Sequence, residues 1–557
     1  MPYVVTRSCC ADASCVLACP VNCIHPAPGE PGFGQTEMLY VDPRTCVDCG
    51  ACTSACPVDA LKPHTALTEA EQPFLALNRA YYEAHPHEDR TPMAVVPPQR
   101  RIPAGELRVA VVGAGPAGLF AADELLRHPG VTVTVHDRLP TPYGLARAGV
   151  APDHQDTKRV ARLFRDIESQ PGFSYRLHTE IGRDLSHEDL VRDFHAVVYA
   201  VGAATDRRLG IDGEDLPGSA SATDFVAWYN GHPDHGADRY ALDGERAVVI
   251  GNGNVALDVA RILTADPDAL ARTDISDRAL AALRAGRVRE VVVLGRRGPA
   301  EAAFTLPELL ALAARDDVDV LVEGRPEDLV LPEDLPEDAG PKAAVLAGLA
   351  ARTPVPGRRR IVLRFHTRPT RILGDDRVTG LAVEGTGPRA AEGADTIGAS
   401  LVLRAIGYRA RPVPGLPWDA GTGTVPHERG RVAPGVYVTG WIKRGPSGFI
   451  GTNRSCARET VSTLLDDLDA GLLTAPAGDA PVGGGHPDAV GLDGWRAIDE
   501  RERAEGRRQG RPRVKLVDGD ELIAAAPHRG RDPPPPPRAA RRGVRAGAPP
   551  GRDRAPG

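Results

Sequence analysis

The stretch Val109 to Leu119 reads VAVVGAGPAGL and restricts the fold of this chain more than any other. Val109 to Val112 form a short apolar run of the kind that makes a buried parallel strand. Gly113, Gly115 and Gly118 follow at G-x-G-x-x-G spacing, with Ala117 on the same turn, and open the helical run LFAADELLR. Gly113 permits the tight turn, Gly115 lets the backbone approach a pyrophosphate, and Gly118 lets helix and strand pack closely. The pyrophosphate rests on the positive end of the helix. A second strand, VTVTVHD, ends at Asp137, where a carboxylate can accept bonds from a ribose hydroxyl. The glycines alone would also suit an ordinary strand–helix turn. Strand, helix and Asp137 together predict a dinucleotide site.

The 557 residues suffice for three or four domains. A net charge of −7 gives no sign of a nucleic-acid partner over the whole length. The start, MPYVVTRSCC, lacks the basic region and long apolar run of a signal peptide. No run of about 18 apolar residues occurs, so no membrane partner is expected and the location is expected to be cytoplasmic. Nine of the ten cysteines precede residue 57, which favours metal ligation over disulfides.

Cys46, Cys49, Cys52 and Cys56, followed by Pro57, form C-x2-C-x2-C-x3-C-P. Thiolates are soft iron ligands, and such a loop wraps three of them around one cluster while the fourth reaches the other cluster of a two-cluster ferredoxin. Zinc sites favour two separated C-x2-C pairs. The partner frame holds Cys9, Cys15, Cys19 and Pro20, but its second slot is Asp12. Cross-ligation assigns Cys19, Cys46, Cys49 and Cys52 to one [4Fe-4S] cluster. Cys9, Cys15 and Cys56 hold the other, with Asp12 or nothing at the fourth corner. A carboxylate is a harder and weaker partner for that iron. The expected product is a [3Fe-4S] cluster or a [4Fe-4S] cluster with a labile iron; Asp12 as a solvated loop residue is the alternative. This half resembles the seven-iron ferredoxins, with a shorter Cys9–Cys15 interval. Cys10 and Cys23 fit no slot and read as packed small hydrophobes.

TEAEQPFLALNRAYYEAH has helical spacing interrupted by Pro73. Its Phe74, Leu77, Tyr81 and Tyr82 either dock the ferredoxin module on the next domain or belong to a packed connector. Pro97, Pro98 and Pro103 mark a stiff linker. Farther on, AVVIGNGNVALDVARIL repeats the strand–turn–helix pattern, with Gly251, Gly253 and Ala256 at G-x-G-x-x-A spacing around Asn252, Asn254 and Val255. The next strand, Val291 to Leu294, ends in GRRG. Where an NAD site carries a carboxylate, this chain has Arg296 and Arg297, whose guanidinium groups suit a 2′-phosphate. The contrast with Asp137 predicts FAD in the first fold and NADPH in the second. A surface arginine pair is the other reading.

GAGPAGL followed by YGLARAGVAPDH, together with GNGNVALDVARIL, GRRGPAEAAFTLPEL and GWIKRGPSGFIG, resembles adrenodoxin reductase and the bacterial NADPH–ferredoxin reductases of that type. The resemblance implies that Leu145 lies at the flavin and that Glu308 helps hold the nicotinamide end. It further implies that Trp441 lies near the isoalloxazine and Gly448, Phe449 and Ile450 near its pyrimidine edge. Taken alone, Trp441 reads as a core residue. His154, in APDH, is the one acid/base candidate near the flavin by family position, or else a hydrogen-bonding residue that shapes the pocket.

The chain is therefore expected to be α/β, with two Rossmann-like dinucleotide-binding domains, for FAD and NADPH, preceded by a small α+β bacterial-type ferredoxin domain. The expected map is a ferredoxin-like domain over 1–62, a linker over 63–104, the FAD domain over 105–203 and 405–475, and the NADPH domain over 204–404. A C-terminal extension comes next over 476–526, with a flexible AGDAPVGGGHPD, a basic helix and a strand. A disordered Pro- and Arg-rich tail covers 527–557. The implied activity is a ferredoxin–NADP reductase that passes electrons from NADPH through FAD to its own clusters, a separate ferredoxin, or another one-electron acceptor such as a cytochrome P450 system. An electron-input subunit of a larger synthase and a relay without turnover are the rival readings. No cysteine lies between Cys56 and Cys456, which argues against a disulfide reductase.

Overall fold

The two Gly-rich turns each lie at the end of the third strand of a six-stranded sheet. The computed structural model describes residues 2–93, 99–100, 102, 107–236, 240–324, 339–478 and 488–526. Pro97, Pro98 and Pro103, the 527–557 tail and residues 479–487 within AGDAPVGGGHPD lie outside the described residues. In the first sheet the order is Phe173–Leu177, Val131–Asp137, Leu107–Val112, Ala196–Tyr199, Val436–Val438 and Arg431–Ala433. All pairings are parallel except the last. The second sheet runs Ser219–Ser221, Leu401–Arg404, Arg246–Ile250, Glu290–Leu294, Arg360–Arg364 and Asp319–Glu323, parallel throughout. Parallel strands are covered by helices on both faces, which is why the central strands carry the continuous apolar runs VAVV, AVVI and VVVL, while Val131–Asp137, nearer the edge, alternates. The chain passes between the sheets twice, and the two passages, Thr205–Asp206 and Tyr408–Arg409, pair antiparallel.

Gly118 shows why the first turn requires glycine. A Cβ there would stand 1.9 Å from the Gly113 carbonyl oxygen, so the helix Pro116–Leu126 could not approach its strand. Gly251 plays the corresponding part in the second fold, with φ 115° and a would-be Cβ 2.2 Å from the Ala405 carbonyl.

The N-terminal module is a doubled unit. Cys46 follows Cys9 by 37 positions, and the backbone repeats at that interval. Ala11 and Asp48 have φ 54° and 59°, Asn22 and Asp59 have 46° and 51°. The helices Ser14–Ala18 and Ala51–Ala55 start after left-handed Ala13 and Gly50 and end at Cys19 and Cys56 with φ/ψ of −75°/117° and −76°/118°. Asp12 thus occupies the backbone position that Cys49 occupies in the other half. Pro73 does not interrupt the following helix. It sits in the first turn of Gln72–Ala84, where no N–H is needed. That helix packs on the ferredoxin module itself. Phe74 is buried, Asn78 Oδ1 accepts the N–H groups of Val5 and Val41 at 3.2 and 2.9 Å, and Tyr82 Oη donates to the Cys23 or Tyr40 carbonyl, each 3.0 Å away.

The C-terminal helix Leu492–Arg508 inserts Trp495 and Ile498 into the core of the first Rossmann unit. The strand expected over RVKL does not form. Lys515 instead buries its ammonium among the Asn230 carbonyl at 2.9 Å, the Arg147 carbonyl at 3.2 Å and Asp274 at 2.9 Å. No helix among the described residues is long and apolar enough to cross a membrane.

Candidate active site

The cysteines fall into two sets. Cys9, Cys15 and Cys56 lie together with Asp12, while Cys19, Cys46, Cys49 and Cys52 surround a common pocket with Cys23. This is the grouping that cross-ligation by the two frames would need. Burial pushes the Cys9 thiol up to about 12 and raises Cys15 and Cys56 as well. Iron binding replaces such protons, and a cluster is the kind of group that makes these buried sulfurs thiolates. In both halves a backbone N–H points at a ligand sulfur, Cys23 to Cys19 at 3.4 Å and Ala60 to Cys56 at 3.3 Å. The donor set and its hydrogen bonds fit iron–sulfur clusters. Cys23 packs in the buried core of the ferredoxin module, as expected. Its sulfur is 3.4 Å from that of Cys19, and bonding to it lowers the Cys19 and Cys46 thiols.

Asp12 is 7% exposed and is not a solvated loop residue. Its carboxylate accepts from the Ser14 hydroxyl and lies 3.4 Å from Arg454 Nη1. Arg454 belongs to the helix Thr452–Asp469, directly after the GPSGFIG turn. Cys10 packs into the core of the first Rossmann unit, and its carbonyl accepts the Gly451 N–H at 2.7 Å. The Asp12 half of the ferredoxin module therefore lies against the flavin-type motif. The other half is outward, with Cys49 exposed and Val47 59% exposed.

Around the first Gly-rich turn, Gly115 and Gly144 bring their backbones together, while Gly113 packs on Ala200 and Gly118 on the Gly113 carbonyl. Tyr143 N–H donates to the Ala114 carbonyl at 2.8 Å, and Gly440 approaches Ala117. Asp137 accepts the N–H groups of Ala114 and Leu139 at 2.8 and 2.9 Å, while burial raises its carboxyl against those bonds. Leu145 is exposed at 37% at the rim. Trp441 Nε1 donates to the Ser447 carbonyl at 3.1 Å, and its ring lies 5.2 Å from that of Tyr408. Gly448, Phe449 and Ile450 form the turn before the helix, pinned by the Phe449 N–H on Thr452 Oγ1 at 3.0 Å. A Gly-rich turn open to close backbone approach, with exposed Leu145 next to it, fits a flavin dinucleotide.

Three segments bring five charged or titratable groups together. Arg261 binds Asp153 at 2.5 and 3.1 Å and Asp258 at 2.8 Å, and lies 3.8 Å from Glu308. His154 Nε2 is 3.9 Å from Glu308 Oε2 and 4.0 Å from Asp258. Burial, and then the charge of Arg261, hold His154 well below its ordinary range, so the ring is neutral. Burial, together with the charges of Glu308 and Asp153, lifts Asp258 to about 7 against the pull of Arg261. His154 Nε2 and Glu308 Oε2 are both buried without a hydrogen-bond partner. Two orphaned polar atoms side by side fit a ligand amide, which offers both a donor and an acceptor. Sequence reasoning found His154 and Glu308 but missed Asp153, Asp258 and Arg261. The signal was present, since Asp258 and Arg261 stand at i, i+3 in the otherwise apolar NVALDVARIL.

In the second fold, Gly251, Asn252, Gly253, Val255 and Ala256 shape the turn into the helix Asn254–Thr264, and Asn254 Oδ1 accepts the Thr305 N–H at 2.8 Å. Arg296 and Arg297 follow the strand Glu290–Leu294 and are exposed. Among the described residues neither guanidinium has an ion-pair partner. Their backbone carbonyls accept from Thr386 Oγ1 at 2.7 Å and His366 N–H at 3.1 Å, which fixes the loop.

Residues 107–284 match the family model described as pyridine nucleotide-disulphide oxidoreductase, and residues 39–62 match the one described as 4Fe-4S binding domain. A probable ferredoxin/ferredoxin--NADP reductase of Mycobacterium tuberculosis is 51% identical over 559 residues, covering 96% of each chain. An NADPH-ferredoxin reductase of the same organism, FprA, is 44% identical and covers 74% of this chain and 98% of its own. The solved structure of that FprA in complex with NADPH aligns with a TM-score of 0.71 at 42% identity, over 75% of this chain and 99% of the other.

Proposed function

This chain belongs to the ferredoxin/ferredoxin–NADP reductase family, and from that premise we propose how its own residues carry electrons from NADPH to iron–sulfur clusters. When bound, FAD and the clusters would supply the redox chemistry, which is acceptance of a hydride from NADPH and its release as single electrons. The residues supply position and electrostatics. Gly113, Gly115, Ala117, Gly118 and Asp137 hold the FAD dinucleotide, while Leu145, Trp441 and Gly448 to Ile450 border its ring. The N-terminus of the helix Thr452–Asp469 offers backbone N–H groups and a dipole that favour negative charge on the reduced flavin. Gly251 to Ala256 cradle the NADPH pyrophosphate and Arg296 and Arg297 grip its 2′-phosphate.

His154 and Glu308 hold the nicotinamide amide through their two orphaned atoms. Hydride transfer needs no proton from the protein, so a neutral His154 serves as a hydrogen-bonding residue rather than a base. Arg261, tied to Asp153 and Asp258, keeps Glu308 in place. Cys9, Cys15 and Cys56 hold the cluster nearer the flavin, of [3Fe-4S] or labile [4Fe-4S] type with Asp12 at its corner. Cys19, Cys46, Cys49 and Cys52 hold a [4Fe-4S] cluster nearer solvent, facing a separate ferredoxin or a cytochrome P450 system.

The observation that carries this reading is the Gly451–Cys10 hydrogen bond, which joins the flavin motif directly to a cluster loop. Anaerobic NADPH titration of the purified protein, with iron and flavin counted, tests it. One FAD and roughly six to eight irons are expected, with flavin and cluster bands bleaching together. FMN, zinc in place of iron, or clusters that stay oxidised beside reduced flavin would overturn it.

A further inference from the structure

The ferredoxin module also reaches the nicotinamide end of the reductase, at two points. Arg7 Nη1 lies 3.9 Å from Glu308 Oε2. Glu37 Oε2 accepts the backbone N–H of Leu306 at 2.7 Å, and its other oxygen lies 3.0 Å from Lys342 Nζ. Leu306 opens the helix Leu306–Ala313, which carries Glu308 in its first turn. The first N–H groups of a helix have no partner inside it and are normally capped by a neighbouring side chain. Thr305, at the N-cap, provides no side-chain cap. A carboxylate from a different module takes that place, and the positive end of the helix favours it. Arg7 adds a second guanidinium to the set in which Arg261 faces Asp153, Asp258 and Glu308.

We propose that Arg7 and Glu37 are positioning residues for hydride transfer, so that the nicotinamide pocket is complete only when the ferredoxin module is seated. Glu37 fixes the start of the helix that bears Glu308, and Arg7 fixes the Glu308 carboxylate. The inference rests on the assignment of Glu308 to the nicotinamide end. Capture of the coenzyme depends on the distant Arg296 and Arg297. Loss of Arg7 or Glu37 therefore acts on the rate of flavin reduction more than on KM for NADPH.

The test uses full-length holoprotein of matched FAD and iron content. Single-turnover reduction of the flavin by NADPH is followed in Arg7→Ala, Arg7→Lys, Glu37→Ala, Glu308→Gln and Asp59→Asn. Hydrogen exchange is measured over residues 304–310. Arg7→Ala and Glu37→Ala should each slow flavin reduction roughly tenfold, about the worth of one charge-assisted contact. KM should change little, and Arg7→Lys should recover most of the loss. Glu37→Ala should also speed exchange at the start of the helix. Asp59→Asn cuts a different contact between the modules, to Arg159 and Arg162, and should keep the wild-type rate.

Wild-type rates in Arg7→Ala and Glu37→Ala, beside a slow Glu308→Gln, would overturn this inference alone. A wild-type rate in Glu308→Gln would overturn the assignment beneath it. Equal slowing by Asp59→Asn would assign the effect to docking in general and overturn the specific roles. If Glu37→Ala fails to assemble, Glu37→Gln, which keeps an acceptor but not the charge, decides the same point: slowed reduction supports the role and a wild-type rate overturns it.

Discussion

Gly451 donates its backbone N–H to the carbonyl of Cys10 at 2.7 Å, and a Cβ on Gly451 would stand 2.1 Å from the Ala11 carbonyl oxygen. The flavin motif and the Asp12 loop are in backbone contact that only glycine permits. Gly451→Ala should wedge them apart at a cost of about 1–3 kcal/mol, as other overpacked sites do. The ratio of the cluster-reduction rate to the flavin-reduction rate, read by stopped flow with NADPH, should fall. An unchanged ratio would mean that this contact does not set the transfer.

Asp12 stands where the other half has Cys49, held by Ser14 and Arg454. Asp12→Cys should raise the iron count and remove a [3Fe-4S] EPR signal from the oxidised protein, because a thiolate replaces a weaker oxygen ligand. A variant with the wild-type spectrum and iron count would exclude Asp12 from the cluster corner.

Arg296 and Arg297 should choose the coenzyme. Each can make charge-assisted bonds to a 2′-phosphate that NADH lacks, worth roughly 1.5–3 kcal/mol apiece. The pair should thus favour NADPH roughly a hundredfold or more. The double change to Ala should raise KM for NADPH steeply, alter kcat less and leave NADH use nearly untouched. Steady-state kinetics with both coenzymes decide it, and an unaltered NADPH KM would reduce the pair to surface charges.

Asp258 sets a pH dependence of stability. Its carboxyl is raised from 3.8 to about 7 in the folded protein. A raised folded value means that the folded state holds the proton more tightly, so this contribution is complete below 3.8 and is lost as pH rises toward about 7. Asp258→Asn, which carries no such charge, should therefore gain Tm relative to wild type on going from about pH 5 to about pH 8. Thermal scans at the two pH values check the sign.

The C-terminal extension should be a structural part of the flavin domain. Arg147 binds Glu502 through two bonds of 2.9 and 2.6 Å, Arg513 adds a third at 2.9 Å, and Arg147 lies 5.6 Å over the Trp495 ring. Removing one partner of a buried pair typically costs about 3–5 kcal/mol. Glu502→Ala should lower Tm by an amount in keeping with that figure and speed flavin release, because the helix Leu145–Ala148 loses its anchor. Retention of both properties would make the extension dispensable.

The sequence by itself determined the parts whose chemistry is local. Both Gly-rich turns, the strands before them and both ligand frames were legible because their spacing alone dictates a tight turn or a cluster loop. The frames even predict the exchange between halves, since the cysteine of each closing Cys-Pro lies with the cysteines of the other frame. Asp153, Asp258 and Arg261 were not legible as a set, because buried charges meet there from separate segments.

The two ferredoxin halves are near-equivalent in spacing and backbone, and nothing in their order says which faces the flavin. The tertiary structure decides it. Gly451 admits the Cys10 loop, Arg454 meets Asp12, and Val47 and Cys49 are left to solvent. The same docking brings Arg7 to Glu308 and Glu37 to the Leu306 N–H, although these residues lie far apart along the chain. Periodicity and spacing report only what neighbours along the chain will do. Which surfaces of three separate cores close on one another depends on shape and charge that exist only once each core has formed.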